Sequence, residues 1–188
     1  MQISLESVEQ DAASNPLSLV ARRCNVETKP VLGPCLMGIL LGLLGTLVAV
    51  LFIGTMQMTL PREQWGNSAA AGVSGLSQSA LFFFAVILIP IFETFVGQVI
   101  PIEIARRLRA NWAVSILISA IVFGCGHYLN GGLVHGISAF LGGAVFASGY
   151  VTVRWVGFWS GFLTAYTAHA VQNAMLLFVI ARLVPSWA

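Results

Sequence analysis

The chain has 188 residues, of which 57% are hydrophobic and only 9% charged, with a formal net charge of +2 and a mean hydropathy of +0.88. A soluble domain carries about 25% charged residues, so the composition excludes a water-soluble globule, and the small net charge gives nucleic acid nothing to bind. Cys24, Cys35 and Cys125 are odd in number and widely spaced, which leaves no disulfide framework and no paired zinc motif.

Residues 1–30 hold four of the seven acidic residues and no apolar run of the kind a signal peptide needs. They are expected to form a polar tail ahead of a membrane-embedded region over 31–188. Five stretches in that region approach the roughly 20 apolar residues that cross a bilayer: 31–58, 73–108, 112–128, 132–151 and 155–184. The first places Gly38, Gly42 and Gly45 at a spacing that suits close helix packing. The second is too long for one straight span, so a kink is expected near Pro90. The predicted fold is an all-α, polytopic membrane helix bundle of about five spans with a kinked second span.

Basic residues mark one side of this bundle. Arg22, Arg23 and Lys29 precede the first span, Arg106, Arg107 and Arg109 follow the second, and Arg154 follows the fourth; only Arg62 and Arg182 fall on the other side. Seven against two puts the N terminus in the cytoplasm by the positive-inside rule. The expected location is the inner (plasma) membrane of a bacterium.

Glu93 is the single charged residue between positions 73 and 102. A carboxylate at a helix centre costs roughly 2.5–3.5 kcal/mol on insertion scales. The other ionisable groups within the spans are the chain's three histidines, His127, His135 and His169. At about 1.5 Å per residue, Glu93, His127 and His169 lie roughly 20, 24 and 22 Å from the basic side. Three helices thus bring a carboxylate and two imidazoles to one level. Asn173 follows His169 by four residues and shares its face. His135 lies near a helix end and reads as an interfacial histidine.

Such groups could simply hold the bundle together, but buried polar pairs in membranes contribute only about 0.6 kcal/mol each. That is small against the burial cost, and intramembrane ionisable residues mark function by default. A carboxylate in this setting suits a general base that later acts as an acid, and a neutral histidine helps it deprotonate water. A second histidine and an asparagine amide can donate to a developing oxyanion. The same two histidines and glutamate would also suit zinc, with water in the open position. No HExxH run is present to decide between these readings. No serine or cysteine stands in a nucleophile motif beside a histidine, so covalent catalysis is not expected.

In order, "ETFVGQ" (93–98), "FGCGH" (123–127) and "HAVQN" (169–173) resemble the three motifs of the CPBP family. That family comprises CAAX prenyl endopeptidases together with bacteriocin-processing and abortive-infection proteins. Its pattern is EExxxR, FxxxH and HxxxN or HxxxD. The resemblance implies a transmembrane protease-like domain over 31–188 that acts as an intramembrane endopeptidase on a peptide or protein substrate, itself membrane-associated in some members. It implies that Glu93 and His127 activate water while His169 and Asn173 hold the oxyanion, with Phe123 in support. No cofactor is implied by the preferred account of the family, although its members are often named metalloproteases and zinc remains the alternative. Thr94 and Gln98 stand where the family has Glu and Arg, and a neutral Thr–Gln pair could replace that brace by hydrogen bonding. The rival readings are a non-catalytic membrane scaffold or regulator, and a proton-relay transporter built on the same residues.

Overall fold

A computed structural model describes residues 17–66 and 75–183. The described residues are helical, without a strand, as alternating small and aliphatic residues demand where lipid offers the backbone no hydrogen-bond partner. A short helix, α1 (Ser18–Arg23), precedes four helices long and apolar enough to cross a membrane. These are α2 (Leu32–Thr59), α3 (Gln78–Arg107), α4 (Trp112–Val153) and α5 (Phe158–Leu183). The third and fourth sequence spans fall on the two arms of α4, which are two helices joined across a kink at Gly132.

The kink has a local cause. Helical residues run up to Gly131 and resume at once, broken only at Gly132, where φ is +82° and ψ −167°. Positive φ is strained for any residue with a Cβ. The two arms then pack antiparallel: a Cβ on Gly124 would lie 2.7 Å from Cβ of Phe140, and one on Gly136 2.7 Å from Cβ of Tyr128. A straight helix would hold such residues about 12–24 Å apart. Each arm, at about 20 residues, is about 30 Å long, the thickness of the hydrocarbon core.

The disturbance expected near Pro90 takes the form of π-helical turns. They run over Phe83–Leu88 and Phe95–Val99, with Pro90 and Pro101 opening the α-helical stretches that follow. The Ile89 N–H bonds Phe84 O, five residues back. Continuing that pattern, the Ala85 carbonyl would need the N–H that Pro90 lacks. α5 carries a third such stretch at Met175–Ile180.

The glycine face of α2 meets α5 as its spacing suggests: a Cβ on Gly38 would lie 2.7 Å from Thr164 O, and one on Gly42 2.6 Å from Ala168 O. At one end of the bundle, Glu103 Oε1 accepts from Tyr150 Oη at 2.8 Å, Arg154 Nε at 2.7 Å and Arg106 Nη1 at 2.9 Å. α3, α4 and the approach to α5 are tied together there. Residues 17–30 of the expected tail dock at this end, with Ala21, Cys24 and Val26 buried and Pro30 O accepting from Ser160 Oγ. Residues 1–16 lie outside the described residues.

Candidate active site

Glu93 is set on α3 between the two π-helical turns. Its carboxylate meets two histidines from different helices. Oε1 lies 3.7 Å from His127 Nε2 on the first arm of α4, and Oε2 lies 3.4 Å from His169 Nε2 on α5. The common depth estimated from helical rise is thus realised as contact. The His169 side chain is 3% exposed and that of Glu93 35%, so the site opens on the carboxylate side.

The far nitrogens of the two rings have different partners. His127 Nδ1 lies 2.8 Å from Phe123 O; a carbonyl only accepts, so Nδ1 carries the hydrogen and Nε2 presents a lone pair to Glu93. His169 Nδ1 lies 3.3 Å from Thr94 Oγ1, a group able to donate or accept. A neutral ring with its single hydrogen on Nε2, toward the carboxylate, would accept at Nδ1 from Thr94. One carboxylate would then face a hydrogen-bond donor on one side and an acceptor on the other. At 3.7 Å, Glu93 Oε1 and His127 Nε2 are too far apart for a direct hydrogen bond. Both are acceptors, and one water can donate a hydrogen to each.

Phe123 serves both rings. Its ring centroid is 4.4 Å from that of His127 and 5.3 Å from that of His169. Phe146 stacks on the other side of His169 at 5.0 Å and 18°. His135, three residues past Gly132 and so near a helix end as expected, sets its ring edge-on to His127 at 5.1 Å, because the fold at Gly132 returns the second arm alongside the first.

Asn173 Nδ2 donates to Ala85 O at 2.9 Å, the carbonyl for which Pro90 has no N–H. One amide hydrogen is used there and the second remains for a ligand. Thr94 and Gln98 are both fully buried, but they do not brace each other. Thr94 goes to His169, while Gln98 Oε1 lies 2.6 Å from Ser119 Oγ, which also lies 3.0 Å from Gly97 O. With the amide turned so that Nε2 donates to Ser119, Ser119 can donate to Gly97 O, and the otherwise unpartnered Gln98 Nε2 gains an acceptor. Ser119 and Phe146 were missed from the sequence. Ser119 was within reach, since Ser119, Phe123 and His127 recur every four residues on one helical face.

No three His, Cys, Asp or Glu side chains among the described residues are arranged to hold a metal ion.

Among known families, the model described as type II CAAX prenyl endopeptidase Rce1-like matches residues 74–175, a range that contains every site residue named above. No curated protein and no solved structure matches the chain.

Proposed function

Because the chain belongs to the Rce1-like type II CAAX prenyl endopeptidase family, we propose that it hydrolyses peptide bonds within the membrane through Glu93, His127, His169 and Asn173. The observation that carries this reading is one intramembrane carboxylate flanked by two imidazoles from different helices, at 3.7 and 3.4 Å.

A water donating to Glu93 Oε1 and His127 Nε2 keeps a lone pair for the substrate carbonyl carbon. As the C–O bond forms, Glu93 takes the proton, and negative charge passes from the carboxylate to the carbonyl oxygen. The His169 Nε2 hydrogen follows that charge, and the second Asn173 hydrogen joins it, which stabilises the oxyanion where charge develops. Glu93 then returns its proton to the amide nitrogen and the C–N bond breaks; the second water proton, left on the new hydroxyl, passes to the amine, so a carboxylate and an ammonium leave.

The substrate class is a peptide or protein segment at the membrane; the prenylated tails in the family's description are one such class. No cofactor takes part in this scheme. The basic end of the bundle faces the cytoplasm in this reading, and the bilayer is that of a bacterial inner membrane.

The test is cleavage of a peptide library by detergent-solubilised protein, compared with Glu93→Gln, with and without a chelator. Cleavage lost in the variant and indifferent to chelator is the expected result. Cleavage retained by Glu93→Gln would remove Glu93 from water activation. Sensitivity to chelator would restore zinc to the site.

A further inference from the structure

We infer that Thr94 is a positioning residue that holds His169 in the tautomer with its hydrogen on Nε2, so that this ring is a hydrogen-bond donor in the site. The inference rests on the proposed hydrolysis only for its effect on rate; the tautomer itself is a property of the resting protein.

The His169 ring occupies a buried slot, 3% exposed, beside two aromatic rings. Phe146 stacks on one face at 5.0 Å and the Phe123 ring stands edge-to-face at 5.3 Å. Within that slot Nδ1 meets Thr94 Oγ1 at 3.3 Å and Nε2 meets Glu93 Oε2 at 3.4 Å. Thr94 has no exposed surface, so no water competes for its hydroxyl. A carboxylate accepts only, whereas a hydroxyl takes either part. The hydroxyl therefore adopts the part that Glu93 leaves open and gives its hydrogen to Nδ1.

The identity of residue 94 then has a chemical consequence. A glutamate there, as in the motif this segment resembles, would accept only, so both ring nitrogens would face acceptors and the ring would need a second hydrogen and a positive charge. Gln98 adds to this, because it is neutral and engaged with Ser119 and gives no cation to offset a carboxylate at position 94. Threonine at 94 and glutamine at 98 thus act as one change, which makes His169 a donor without any ion pair behind it.

The experiment is nitrogen NMR of the full chain labelled with ¹⁵N-histidine in detergent, with His169 assigned by the signals lost in His169→Gln. The expected spectrum has one hydrogen on His169, at Nε2, in the native protein and in Thr94→Ser. Thr94→Val keeps the shape and removes the donor, so the Nδ1 signal should move to that of a nitrogen without a hydrogen bond. Thr94→Glu should put a hydrogen on both ring nitrogens. In peptide cleavage, Thr94→Val should lower kcat by about tenfold, or about 1.4 kcal/mol, with KM unchanged, and Thr94→Ser should restore it.

A native hydrogen on Nδ1, hydrogens on both nitrogens, or an Nδ1 signal unmoved in Thr94→Val would overturn the inference. An unchanged kcat in Thr94→Val would overturn its link to rate. Absence of cleavage in every variant would instead sink the hydrolase reading and leave the tautomer result standing.

Discussion

At the residue scale, the site depends on which atom of each side chain carries a hydrogen. Asn173 shows how one amide serves two needs. Its Nδ2 supplies the Ala85 carbonyl with the donor that Pro90 lacks, and its remaining hydrogen is the one proposed for the oxyanion. Asn173→Ala should therefore lower both kcat and the thermal midpoint, the latter through an unpartnered carbonyl that costs about 1–3 kcal/mol. A midpoint equal to that of the native protein would show that the carbonyl finds another donor. Residue type and spacing placed Asn173 beside His169. Its bond to a carbonyl 88 positions away depends on a π-helical turn that no residue spacing announces.

At the scale of the element, the bond between Ser119 and Gln98 aligns the Glu93 helix with the His127 helix. Close approach is possible because Gly97 lies against Phe123, where a Cβ would come within 2.6 Å of the ring. Ser119→Ala would strand the Gln98 amide between fully buried walls. A loss of about 1–3 kcal/mol in stability is expected, together with reduced cleavage, because Glu93 and His127 would lose their fixed separation. Thermal unfolding in detergent beside a cleavage assay measures both. Stability unchanged in Ser119→Ala would mean that the bond contributes nothing net. The helical face carrying Ser119, Phe123 and His127 was visible in the sequence, but its partner helix was not, since pairing depends on the rotation of each helix about its axis.

At the scale of the whole molecule, the Glu103 cluster holds one end of the bundle closed. Its three donors come from Arg106, Tyr150 and Arg154, and Arg154 also lies over the Phe158 ring at 5.7 Å. Glu103→Gln weakens charge-assisted bonds that are each worth about 1.5–3 kcal/mol, reduced here because the carboxylate is one-quarter exposed. A lower thermal midpoint with the chemistry of Glu93 intact is expected; loss of cleavage at full stability would show that this cluster also governs the site. The docked segment at the same end has its own test. Burial pushes the Cys24 thiol above the ordinary range, which leaves less thiolate near pH 8. Cys24 should resist a soluble alkylating reagent until the protein unfolds, and rapid labelling of the folded protein would show that residues 17–30 do not stay docked.

The sequence by itself determined the membrane class, the helical fold, the shared depth of Glu93, His127 and His169, and the end of the bundle where basic residues gather. These are one-dimensional properties: composition measures transfer to lipid, and rise per residue converts spacing into depth. Tertiary structure decided what depends on azimuth and distance between helices. It turned 112–153 back on itself at Gly132, brought His135 to His127, and sent Thr94 and Gln98 to separate partners. It also gave the two imidazoles different partners at Nδ1, Phe123 O for His127 and Thr94 Oγ1 for His169, because a ring nitrogen meets only the neighbour that packing sets against it.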